Sequence, residues 1–167
     1  MNFSNRVSQK LHEEHRATVT LIERLVNLLA RQRQSGAPDV NDRGTAQLLA
    51  DLAAGLEVEV LRHFAFEEDE IFSFLEAAGE AAIGEHLTSE HQIMRPLGVR
   101  LAALARSAAG KGFDAVSWEE FRGVAGDLCQ RLAAHVDKEE MALLPLLDET
   151  MDAATEARLY EQYVERA

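Results

Sequence analysis

The chain has 167 residues, 29 Asp and Glu against 17 Lys and Arg, a formal charge of −12, six histidines and one cysteine. That length suits a single domain, expected over 1–167, and 47% hydrophobic with 28% charged residues excludes a disordered chain. The acidic balance argues against nucleic acid, and the want of any apolar run near the roughly 20 residues of a span argues against membrane. The absent signal-peptide pattern and the unpaired cysteine make a cytoplasmic location the expectation. The oligomeric state stays open.

Helical periodicity runs through the chain. Leu11, Thr18, Ile22, Leu25 and Leu29 recur at three- and four-residue steps until Ser35-Gly36-Ala37-Pro38, a Gly-then-Pro stop. A second stretch carries Leu49, Leu52, Leu56, Val60 and Phe64 and ends at Gly79. The third carries Leu87, Met94, Leu97, Leu101 and Leu104, with Pro96 expected to bend it, and ends at Gly110-Lys111-Gly112. Ser117 and Glu120 read as a capping box opening the fourth, which carries Phe121, Leu128, Leu132, Val136, Leu143, Leu146 and Leu147, with Pro145 as a second bend. A joint at 148–152 precedes a short helix over 152–166. Four helices of roughly 30 residues, each about 45 Å long, predict an all-α, antiparallel up-down four-helix bundle with a short C-terminal helix.

All six histidines fall on these four helices. His63 is followed four residues later by Glu67, and His135 by Glu139, so each pair shares a helix face. The faces are apolar: Leu56, Val60, His63, Glu67, Ile71 and Phe74 on the second helix, and Leu128, Leu132, His135, Glu139, Leu143 and Leu146 on the fourth. A glutamate in the middle of an apolar stripe is costly unless paired or bound to a cation, and two such helices point to a metal site built inside a bundle. Glu14-His15 and Glu90-His91 on the other helices match each other, and the chain reads as a helix pair used twice. His12 is expected to face solvent, Glu68 and Glu140 to point away from the ligand stripe, either solvated or supporting the ligands from behind rather than binding metal, and Cys129 to be a small buried residue.

Over 8–150 this pattern resembles the hemerythrin-like, HHE cation-binding family, on Glu14-His15, His63 with Glu67-Glu68, Glu90-His91, and His135 with Glu139-Glu140. The resemblance implies an up-down bundle enclosing two non-haem iron ions bridged by oxo or hydroxo. It also implies His15, His63, His91 and His135 as terminal ligands, with Glu67 and Glu139 as bridging carboxylates. Imidazole with carboxylate suits Fe or Mn, and Zn would substitute. The oxygen-carrying relatives have a fifth histidine, four residues from another on the third helix. Here the position four before His91 is Leu87. His86 and Glu90, placed near the apolar centre of that helix with His91 at its margin, are candidate additional ligands.

Without a fifth histidine, one coordination position stays open on each ion, which suits chemistry with O2, H2O2 or NO more than reversible carriage. The expectation is a di-iron protein that binds or reacts with such small oxidants. The alternative is a non-catalytic module for iron or oxygen binding, storage or sensing.

Overall fold

The computed structural model describes residues 3–33, 36–58 and 62–165; the side chains of residues 57 and 58 fall outside the description. Ser35 of the first expected stop, Val60 of the second expected stripe and residue 166 of the expected last helix lie outside the described residues. The elements are α1 (Arg6–Arg31), α2 (Arg43–Val58), α3 (Phe64–Phe66), a π turn π1 (Glu67–Ile71), α4 (Phe72–Ala77), α5 (Ala81–Lys111), α6 (Ala115–Lys138), a second π turn π2 (Glu139–Leu143), α7 (Leu144–Thr150) and α8 (Ala153–Glu165). There is no strand among the described residues.

The helices run antiparallel. Arg24 pairs with Asp51 while His15 meets His63, and Arg100 pairs with Glu120 while His91 meets His135. Neighbours are α1 with α2, α2 with α5, α5 with α6, and α6 with α1, closing a four-sided bundle; α8 folds back on α1.

The starts of α1 and α6 follow local capping chemistry. The Asn5 side chain accepts from the Ser8 N–H at 2.7 Å and opens α1. The cap expected at Ser117 lies three residues earlier. Asp114 accepts from the Ser117 N–H at 2.7 Å, and the Ser117 hydroxyl accepts from the Asp114 N–H at 3.0 Å. Ala115 and Val116 continue the helix backwards, and Ser117 serves as the returning partner of the box. Helix α1 ends at Arg31, short of the expected stop, so Gly36 with its φ of +80° belongs to the connecting loop. Pro96 sits inside α5 without ending it, on an exposed face where water can serve the carbonyl it leaves unbonded.

The two π turns occupy equivalent places in the repeat, and their cause is the spacing of the buried residues. His63, Glu67, Ile71 and Leu75 are all buried, as are His135, Glu139, Leu143 and Leu147. Three successive four-residue steps on an α-helix would swing such a row about 120° around the axis. A wider turn with i→i+5 bonding absorbs that drift and keeps the row on one face. The α-helical wheel therefore misplaces two residues: Leu75 and Leu147 are fully buried where Phe74 and Leu146 were expected, and these two are only half-buried. Pro145 follows π2, but no proline follows π1, so the bulge does not depend on proline.

The core has two apolar clusters. One gathers residues such as Leu25, Leu52, Leu101 and Phe121, the other Leu11, Ile71, Leu87 and Leu143. Along α1, α5 and α6 a buried histidine stands between the two.

Where α5 crosses α4 the backbones come close. A Cβ on Gly84 would meet Phe72 Cβ at 2.9 Å, an atom that cannot swing away, whereas one on Gly123 would meet nothing within 4 Å. Gly123→Ala should therefore raise stability by about 1 kcal/mol through helix propensity and unfolded-state entropy. The same substitution at Gly84 should lower it, overpacking costing about 1–3 kcal/mol. Urea unfolding of the two variants, with opposite shifts in midpoint, checks this.

Candidate metal centre

Four histidines turn Nε2 toward one another at one level of the bundle. His15 Nε2 lies 3.3 Å from His63 Nε2, and His91 Nε2 lies 2.9 Å from His135 Nε2. Two glutamates lie between these pairs. Glu67 sends Oε1 to within 3.3 Å of His63 and Oε2 to within 3.4 Å of His91. Glu139 sends Oε2 to within 3.0 Å of His15 and Oε1 to within 2.9 Å of His135. Each carboxylate thus gives one oxygen to each half of the cluster. Two groups capable of holding a metal ion result, His15-His63-Glu67-Glu139 and Glu67-His91-His135-Glu139, with the donor atoms of each group within 4.8 Å of one another and all residues buried.

A ring of carboxylates stands behind the histidines. Nδ1 of His15 donates to Glu140 at 2.7 Å, that of His63 to Glu14 at 3.0 Å, that of His91 to Glu68 at 2.9 Å, and that of His135 to Glu90 at 2.8 Å. A proton held at Nδ1 leaves the Nε2 lone pair directed inward, the tautomer a metal needs. The Glu-His and Glu-Glu dipeptides now have a reason. The residue before His15 serves His63 and the residue before His91 serves His135, while the residue after Glu67 serves His91 and the residue after Glu139 serves His15.

The structure brings His15, His63, Glu67, His91, His135 and Glu139 together and leaves the two additional candidates outside. The His86 side chain is 57% exposed, with Nε2 3.4 Å from Glu90, and Glu90 turns its carboxylate to His135 and Lys138. The wheel reading of that helix was inverted: His91 is fully buried on the row Gly84, Leu87, His91, Met94, Gly98. His12 is half-buried rather than exposed and shares Glu140 with His15, at 2.8 Å. Cys129 is buried in the apolar cluster, and that burial pushes its thiol up to about 11.

Both oxygens of Glu67 and of Glu139 are buried and accept no hydrogen bond. Buried carboxylates without donors are costly, and nitrogen with shared carboxylate oxygen suits a divalent transition metal on each side. The residues therefore fit a metal group. The surroundings of the two halves differ. Phe64 stacks on His91 with ring centres 3.8 Å apart and planes 7° apart, and Phe72 packs beyond at 5.8 Å; the repeat places Val136 and Leu144 at the equivalent positions. A groove of about 330 Å³ opens between α5 and α6 beside Glu90 and Lys138.

A helical bundle with this buried His/Glu cluster defines a metal-binding protein class. Residues 6–147 match the hemerythrin HHE cation binding domain, and the chain belongs to that family. No curated protein matches it. No helix among the described residues is long and apolar enough to cross a membrane.

In the metal-free chain these groups set one another's protonation. Burial disfavours a charged His15, but Glu139 and Glu140 outweigh it and raise His15 to about 9. His63 and His135 are raised in the same way, against burial, chiefly by Glu67 and by Glu139 respectively. Burial holds His91 down to about 4, with the neighbouring His135 adding to it against the pull of Glu67. Glu139 is held low, against burial, by His135 and His15. The stability from His15 is full below its unfolded value of 6.5 and is lost as pH rises through about 9. His91 acts oppositely. Below 6.5 the unfolded chain takes a proton the folded chain refuses, so stability falls as pH drops toward 4. The metal-free protein should melt highest near pH 6.5 and lower on both sides. A melting temperature still rising between pH 7 and 9 would contradict this balance.

Proposed function

We propose that this chain is a non-haem di-iron protein that binds or reacts with small oxidants, O2, H2O2 or NO. His15 and His63 would hold one iron, His91 and His135 the other, with Glu67 and Glu139 bridging; manganese or zinc would fit the same donors. The observation that carries this reading is the set of four bare carboxylate oxygens on Glu67 and Glu139, each facing a different histidine. Two histidines on each half also favour an open position at both ions, which speaks for redox chemistry over simple carriage.

Bound iron supplies electron exchange and coordination positions for a small molecule. The chain's own residues prepare the place. Glu14, Glu68, Glu90 and Glu140 hold the Nδ1 protons, so that every Nε2 faces inward. The apolar clusters on both sides exclude bulk water, and the burial of all six central residues restricts access to molecules of a few atoms.

Loading with Fe(II) should give two irons per chain. Glu139→Ala should lose metal from both halves, and His63→Ala from one. Replacing one outer carboxylate, as in Glu68→Gln, should weaken binding about 10- to 100-fold. Metal analysis after dialysis against a graded chelator measures all three. On exposure to O2, conversion to a ferric species with peroxide or NO turnover supports a redox role. A stable, reversible oxygenated spectrum supports the alternative of binding, storage or sensing. Failure of the wild-type chain to bind two metals removes both.

A further inference from the structure

The two halves of the cluster are backed differently. Behind His135, Glu90 uses Oε2 for the imidazole and Oε1 for Lys138, whose side chain is 43% exposed at the α5–α6 groove. Behind His63, Glu14 uses Oε2 for the imidazole at 3.0 Å, and its Oε1, on a side chain 10% exposed, has Lys10 Nζ at 3.9 Å. That oxygen accepts from Arg62 Nη2 at 3.0 Å and from the Tyr163 hydroxyl. The Arg62 guanidinium also lies over the Tyr163 ring at 5.5 Å and reaches its hydroxyl oxygen at 3.3 Å.

Tyr163 comes from α8, outside residues 6–147 that match the family. It is 3% exposed, its ring meets Phe66 edge-on at 4.8 Å, and Leu159 one turn earlier is fully buried and seats the helix. A core-filling role would be met by phenylalanine. What phenylalanine lacks is the hydroxyl, and the hydroxyl is spent on the carboxylate that orients a histidine of the cluster.

We propose that Tyr163 is a positioning residue of the metal centre, tuning the metal held by His15 and His63 through the relay Tyr163–Glu14–His63. The inference rests on the metal-binding reading above. A hydroxyl donating to Glu14 draws negative charge onto Oε1 and leaves less at Oε2 to pull on the His63 Nδ1 proton. The imidazole is then a weaker electron donor at Nε2, and the reduced metal is favoured. Residue 160, one turn away, serves as comparison: its ring carries Arg6 at 4.5 Å and belongs to a different contact.

The experiment is a mediated redox titration of the iron-loaded full-length protein, read in the ferric absorption band, with metal content measured alongside. Tyr163→Phe should bind the same amount of iron, shift the midpoint to lower potential and move the ferric band. Glu14→Gln should shift the midpoint the opposite way, because a neutral amide accepts the imidazole proton more weakly. Tyr160→Phe should shift neither reading. A Tyr163→Phe protein that melts lower but keeps the wild-type potential and band has lost only packing, which overturns the proposal, as does an upward shift. If wild-type protein binds no iron, the metal reading falls as well. If wild type binds iron and Tyr163→Phe matches it in potential and spectrum, this inference alone falls.

Discussion

Two carboxylates, Glu67 and Glu139, lie wholly out of water, and none of their four oxygens accepts a hydrogen bond. Carboxylates in such a place must be neutralised, protonated or bound to a cation, and the rest of the interior is organised by that demand. His15, His63 and His135 supply the answering charge in the metal-free chain, and all four histidines the answering ligands in a metal-bound one. The apolar clusters on either side keep water from competing, and the π turns keep the demanding residues and the core leucines on one face.

The same demand explains why the acidic residues come in dipeptides. An imidazole aimed inward needs its other nitrogen tied down, and the chain meets that need with the nearest residue of a helix across the cluster, four times over. The duplication is close in its polar groups and loose in its surroundings. Phe64 has Val136 as its counterpart, Phe72 has Leu144 and Arg62 has Ala134. Equivalent ligands therefore sit in inequivalent settings, as the stacking of Phe64 on His91 and the separation of His91 from His15 in proton affinity already indicate.

The bundle and the six central residues were legible because their signals are periodic: apolar steps of three and four, and His–Glu pairs at four. Three features were not. The π turns escape a wheel drawn at a fixed angle per residue, which is why Phe74 and Leu146 were placed inward ahead of Leu75 and Leu147. On the third helix the buried row Gly84, Leu87, His91, Met94 and Gly98 carries two glycines, too weak a hydrophobic signal to fix its centre, so the wheel sets His91, itself a named ligand, at the margin and adds His86 and Glu90 as candidates near the centre. The outer ring of carboxylates depends on which helices are neighbours, since Glu14 serves a histidine 49 residues away and Glu140 one 125 residues away. Its one trace in the sequence is that each member adjoins a central residue.

The order of the chain gives the two halves different histories during folding. His91 and His135 are brought together across 44 residues, and His91 meets Glu68 across 23, within the π1–α4–α5–α6 stretch. His15 meets Glu140 only when the first helix reaches the last third of the chain, and Asp148 then clamps the backbone of Ser4 and Asn5 across more than 140 residues. Closing the longer loop costs more entropy and returns its contacts later. Loop entropy thus lets the His15–His63 and His91–His135 hairpins close at similar cost, across 48 and 44 residues, and the oxygens of Glu67 and Glu139 that face His63, His91 and His135 are met before the one that faces His15.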